Sequence, residues 1–157
     1  MKWVLIVVLI SVIMLIARAF SEQYKDKYDF YYNLRLFLNQ FKINISFKQA
    51  KVNEFLLSLK PRKQFKSFIS SYQTYLKTGE LNFDEIKILD EKEKGELLDI
   101  ITRLGKNDSN SELKQIEQFL LTVEENLTKA EADKNKLCPM IIKLSLLFAI
   151  GLAILLI

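Results

Sequence analysis

The stretch that most constrains this chain is Leu137 to Ile157, LCPMIIKLSLLFAIGLAILLI. Lys143 is its only charged side chain, and from Leu144 onward Ser145 is the only polar one. Near the other end, Trp3 to Phe20 is almost as apolar, interrupted by Ser11 and Arg18. About 20 predominantly apolar residues carry a helix across the hydrocarbon of a bilayer, and both stretches approach that length. The sequence therefore predicts an all-α protein. A small helical bundle, residues 21–136, is expected between an N-terminal transmembrane helix, residues 1–20, and a C-terminal one, residues 137–157.

The apolar ends also explain the charge. Residues 21–136 hold 20 Lys or Arg against 19 Asp or Glu, a net of +1 within a chain total of +4. The remaining cations, Lys2, Arg18 and Lys143, lie in or beside the apolar stretches. The alkaline balance thus belongs to membrane flanks, and no nucleic-acid partner is expected. Histidine is absent and Cys138 is the only cysteine, which excludes an intrachain disulfide and a His/Cys metal cluster. Cys138 reads as a small apolar filler rather than a lipidation site. No phosphate-cradling G-x-x-x-x-G-K-[ST] loop or dinucleotide fingerprint occurs. Asp84 and Glu85 are adjacent and do not share a helix face, so a paired-carboxylate site is not expected there. The sequence predicts no catalytic residue, cofactor, metal or small-molecule substrate. Its function should be an interaction.

Ala17-Arg18-Ala19 has the small-x-small form of a signal-peptide cleavage site. The apolar run continues to Phe20, however, and Arg18 suits the interface at the end of a span, so a retained anchor is the expectation. Two spans place both ends of the chain on one side and the domain on the other. Arg18, Lys25 and Lys27 follow the first span, and Lys129, Lys134 and Lys136 precede the second. The positive-inside rule then puts the domain in the cytoplasm. Lys143 lies near the head of its span, where snorkelling explains it better than a proton relay.

Between the anchors the pattern is helical. Tyr24, Tyr28, Tyr31, Leu34, Leu38 and Phe41 recur at three and four residues, with no Gly or Pro separating them from the first anchor. Ile43 to Phe47 alternates and reads as a connection. Ser46 with Gln49 then opens a helix to about Leu59, ended by Lys60-Pro61. A next helix carries Phe65, Phe68, Ile69, Tyr72 and Leu76, with Gly79 placed for a left-handed C-cap. Two short helices or one bent one follow, capped by Asn82 with Glu85 and by Asp90 with Glu93. The second of these leads to Leu97, Leu98, Ile101 and Leu104. After Gly105 and a polar turn, Ser109 with Glu112 forms a third capping box. Pro139 is expected at the head of the last span, where its missing donor costs little.

Two features suggest contact surfaces. Leu113, Ile116, Leu120, Val123, Leu127 and Ala130 follow a 3-4-3-4-3 spacing, a helix-packing seam facing the domain or a partner helix. Residues 42–77 carry eight Lys or Arg against Glu54, a net of +7, while residues 80–99 carry eight acids and three lysines, a net of −5. The two are either solvated faces that neutralise each other, or a basic docking face centred on Lys60, Arg62, Lys63 and Lys66. That face would take an acidic partner or anionic lipid heads.

Several of these pieces together resemble one family. They are Leu104-Gly105-Lys106-Asn107-Asp108, the long helix containing Leu113 to Ala130, Lys134-Asn135-Lys136, and a C-terminal apolar helix with Gly151, all behind an N-terminal anchor. With Ser46-Phe47-x-x-Ala50 opening a helix, they resemble the stage III sporulation protein AB family of endospore-forming bacteria. That family in turn resembles the inner-membrane platform protein of type II secretion and type IV pilus systems. The chain departs from the family pattern at Glu112, where a glutamine is usual, near Met140, where a second glycine is usual, and in a first helix with only Lys25, Lys27 and Arg35 as bases. The resemblance implies a non-catalytic scaffold in the channel-like complex between mother cell and forespore. Its domain would face the mother-cell cytoplasm and contact the complex's ATPase, and its spans would contact the other membrane components and lipid. The competing class is an unrelated two-span adaptor that binds anionic lipid or a partner protein.

Overall fold

The computed structural model describes residues 2–47, 63–104 and 109–156. They form four helices: α1, Lys2–Phe47; α2, Lys63–Thr78; α3, Glu91–Arg103; and α4, Ser109–Leu156. Among the described residues all regular structure is helical, as expected for an all-α protein with long apolar helices at both ends. The chain divides into two compact units, residues 26–128 and residues 1–25 with 129–157.

Residues 26–128 are built on an aromatic core. Phe30 and Phe37 from α1, Phe65 and Phe68 from α2, and Ile86 from the connection before α3 are almost fully buried. Phe68 is the hub. Its ring centroid lies 6.0 Å from Phe30, 5.8 Å from Phe37 and 6.1 Å from Phe83. Edge-to-face pairs such as Phe37–Phe68 and Phe37–Tyr72 set a positive ring edge against a negative face, which adds to their area burial. Leu97, Ile100 and Ile101 of α3 and Ile116 and Val123 of α4 are buried as well.

Local signals place the helix ends. Gly79 follows α2 at φ +77°, and its N–H donates to the Tyr75 carbonyl at 2.8 Å, giving the expected left-handed stop. Asp90 caps α3: its Oδ1 accepts from the Glu93 N–H at 2.8 Å, while Glu93 Oε2 accepts from the Asp90 N–H at 2.9 Å. This reciprocal box satisfies two donors that a helix start otherwise leaves open.

Four sequence expectations need correction. Ile43 to Phe47 belongs to α1 rather than a connection; β-branched residues cost a helix only tenths of a kcal/mol, roughly up to 0.7 each, and no breaker intervenes. Asn82 caps no helix. Its Oδ1 accepts from the Asp84 N–H at 2.7 Å, an Asx turn in a connection that remains turns up to Asp90. Pro139 lies inside α4, not at a helix start, so the Asn135 carbonyl has no donor four residues on. Leu76, expected on one stripe with Phe65, Phe68 and Tyr72, is exposed, and so is Leu98 beside the buried Leu97. The helix expected after Ser46 lies, from Lys48 onward, outside the described residues, as does the turn at 105–108.

In the other unit the buried side chains are mostly small: Ala17, Ser21, Ala130, Cys138 and Ala149, with Ile6. Small residues let two helix backbones approach closely where no water-driven burial separates helix from solvent. Cys138 is buried as expected, and its Sγ donates to the Ser21 carbonyl at 3.4 Å. The apolar remainder faces outward, with Leu15, Phe148 and Leu155 among the most exposed.

Candidate interaction surface

The basic candidate sits at the start of α2. Lys63 is its first residue and Lys66 lies one turn on, positions that share a helix face. Lys66 is exposed and pairs with no described residue. Lys60 and Arg62 lie outside the described residues. The flanking cation Lys42 is committed elsewhere: its Nζ lies 2.7 Å from Glu117 Oε1. That hydrogen bond and charge hold the exposed Glu117 carboxyl below its ordinary range.

The acidic stretch does not turn toward those lysines among the described residues. Glu93 pairs with Lys27 of α1 at 2.7 Å, Glu91 with Lys94 at 3.0 Å, and Asp99 with Arg103 at 2.7 Å. Acids of α3 are thus matched by its own bases and by α1. Lys66, and Lys77 with it, face solvent.

Within the seam on α4, Ile116, Val123, Leu127 and Ala130 are buried. Leu113 and Leu120 are half-buried at its margin. Flanking polar contacts tie α4 to its neighbours: Asn126 Nδ2 donates to Glu96 Oε2 at 3.2 Å, and Arg35 lies 3.7 Å from Glu124. Sequence reasoning missed the polar cluster beneath, because Glu93 carried a signal only for capping. Glu93 also faces Tyr31, whose hydroxyl is pushed above the ordinary tyrosine range by burial first and then by the Glu93 charge and hydrogen bond. A cavity of about 10 Å³ lies here, lined by Tyr31, Glu93, Glu96 and Asn126 among others, room for one water and no substrate. Among the described residues no three His, Cys, Asp or Glu side chains gather as metal ligands.

Two helices, α1 and α4, are long and apolar enough to cross a membrane. Only 17% of the most apolar window of α1 and 11% of that of α4 is buried inside the protein. The core helix of a water-soluble domain would hide such a stretch; here most of it stays uncovered, consistent with a membrane protein.

Comparison with known proteins is consistent with that layout. Nothing among curated proteins and nothing among solved structures matches the chain. The family model described as stage III sporulation protein AB matches residues 2–157, both apolar helices and the bundle between them included. The chain therefore belongs to the stage III sporulation protein AB family.

Proposed function

We propose that this protein is a non-catalytic, two-span membrane scaffold of a sporulation-stage complex between mother cell and forespore, and that its central helices dock the complex's ATPase. The observation that carries the reading is a family match over residues 2–157 of a chain whose end helices leave their apolar surface uncovered. Anchors of this kind confine a small domain to one membrane face, which raises its effective concentration toward partners in the same plane. The domain has the composition of a contact module: a packed aromatic core, matched ion pairs, and Lys66 left to solvent in the first turns of α2. The likeness to secretion platforms supports an ATPase partner by analogy only. An exposed basic face steers an acidic partner and fixes orientation more than it adds raw affinity.

The test is capture of full-length protein, in detergent, by the immobilised ATPase of the same complex. Wild type should be retained. Changing Lys60, Arg62, Lys63 and Lys66 together to glutamate should abolish retention at low salt, and retention of the wild type should itself fall as salt is raised. Equal capture of wild type and variant would rule out this docking face.

A further inference from the structure

An open groove of about 540 Å³ lies in the unit formed by residues 1–25 and 129–157, remote in sequence from the lysines discussed above. Its walls divide by chemistry. Met14, Leu15 and Ile142 make an apolar side, while Arg18 and Lys25 bring cations and Ser21 lies between them. On α1 the spacing 14, 18, 21, 25 keeps these residues on one face. Ser21 is 1% exposed and its Oγ has no hydrogen-bond partner. A buried hydroxyl left so costs about 1–3 kcal/mol, which an incoming oxygen would recover. Arg18 is exposed and pairs with no described residue, whereas Lys25 shares its charge with Glu22 at 3.0 Å.

We propose that this groove binds one anionic phospholipid, its phosphate held by Arg18 and Lys25 with Ser21 donating from the floor, and an acyl chain along Met14, Leu15 and Ile142. A free phosphate would leave the apolar wall bare. With Glu22 cancelling one cation, the groove keeps one positive charge, which a lipid of single negative charge balances. A zwitterionic lipid carries its own ammonium and gains nothing from that surplus. The site rests on the membrane reading above, but not on the ATPase or on the α2 lysines.

Native mass spectrometry of the full-length protein, released from detergent, tests this by offering phosphatidylglycerol and phosphatidylcholine with the same acyl chains in competition. Wild type should retain one phosphatidylglycerol in preference by about fivefold, the effect of one basic residue beside an anionic head. Arg18→Gln should erase the preference, while Lys143→Gln, a cation of the same unit outside the groove, should leave it. Because Arg18 is exposed, the variant keeps its helices, which an unchanged far-ultraviolet circular dichroism spectrum verifies. Equal retention of both lipids by wild type would overturn the site, as would equal losses in the two variants. Displacement of the lipid by excess inorganic phosphate would overturn it in favour of a free-anion site. Protein that stays monodisperse without detergent would remove the membrane reading as well, so the two failures are told apart.

Discussion

Glu93 shows how much one side chain settles in a domain this small. One carboxylate closes the cap of α3, meets Lys27 of α1 at 2.7 Å, and lies against the hydroxyl of Tyr31. Tyr31 is 3% exposed, so ionising it means placing a second negative charge in a poorly solvated site beside a first. Its folded-state pKa is therefore raised above the unfolded value, near ~10. The folded state holds this proton more tightly than the unfolded chain. Its contribution is complete below the unfolded pKa and declines as pH rises above it. Tyr31→Phe should lower stability near neutral pH by about 1 kcal/mol, the worth of one buried hydrogen bond, and should flatten the alkaline decline. Denaturant melts of wild type and variant in detergent, repeated across the alkaline range, measure both. Parallel alkaline limbs would show that Tyr31 does not titrate against this cluster.

At the scale of elements, two glycines separate backbone demand from packing. A Cβ added at Gly79 or at Gly95 meets nothing within 4 Å, so space is not the issue at either. Gly79 holds φ +77° at the end of α2, a conformation that costs an L-residue about 1–2 kcal/mol. Gly95 sits inside α3, where glycine costs roughly 0.5–1 kcal/mol relative to alanine. Gly79→Ala should therefore destabilise and Gly95→Ala should stabilise, by similar amounts and opposite sign in the same denaturant titration. Signals of this local kind were the legible ones: the stop at Gly79, the box at Asp90 and Glu93, and the stripe through Tyr31, Leu34 and Leu38. Phe30 and Phe37 were not legible as core, because a helix touched on several sides buries more than one stripe, and no spacing rule marks the second. Ile43 to Phe47 and Pro139 misled for a shared reason. Alternation and proline both weaken a helix locally, yet a long helix with no glycine nearby absorbs either, and in a span neighbouring groups re-satisfy the carbonyl that proline frees. The proposed basic docking face shows in the sequence as charge alone. Where its side chains point depends on packing that no run of lysines encodes.

For the whole molecule the question is which compartment the bundle serves. At 1.5 Å per residue, α1 with 46 residues and α4 with 48 run to ~69 Å and ~72 Å, against ~30 Å of hydrocarbon. Each is more than twice as long as a span requires, so part of each belongs in water. The sequence says which part: residues 21–136 hold every acidic side chain in the chain, and none falls in residues 1–20 or 137–157. Arg18, Lys25 and Lys27 on one side, and Lys129, Lys134 and Lys136 on the other, lie at the boundaries toward the bundle. The Lys/Arg bias of short flanks sets orientation whatever the intermingled acids, and on that rule the proposed topology has the bundle in the cytoplasm. Two single-cysteine proteins test this, each carrying Cys138→Ser: one with Lys77→Cys, exposed at the end of α2, and one with Lys2→Cys beyond the first span. A membrane-impermeant maleimide should label the Lys2→Cys protein in intact cells, and the Lys77→Cys protein only after the membrane is opened. The opposite pattern would put the bundle outside, where no ATPase could reach the α2 lysines, and would end the docking proposal. The lipid groove would survive it, since the cations at Arg18 and Lys25 meet a headgroup layer in either orientation.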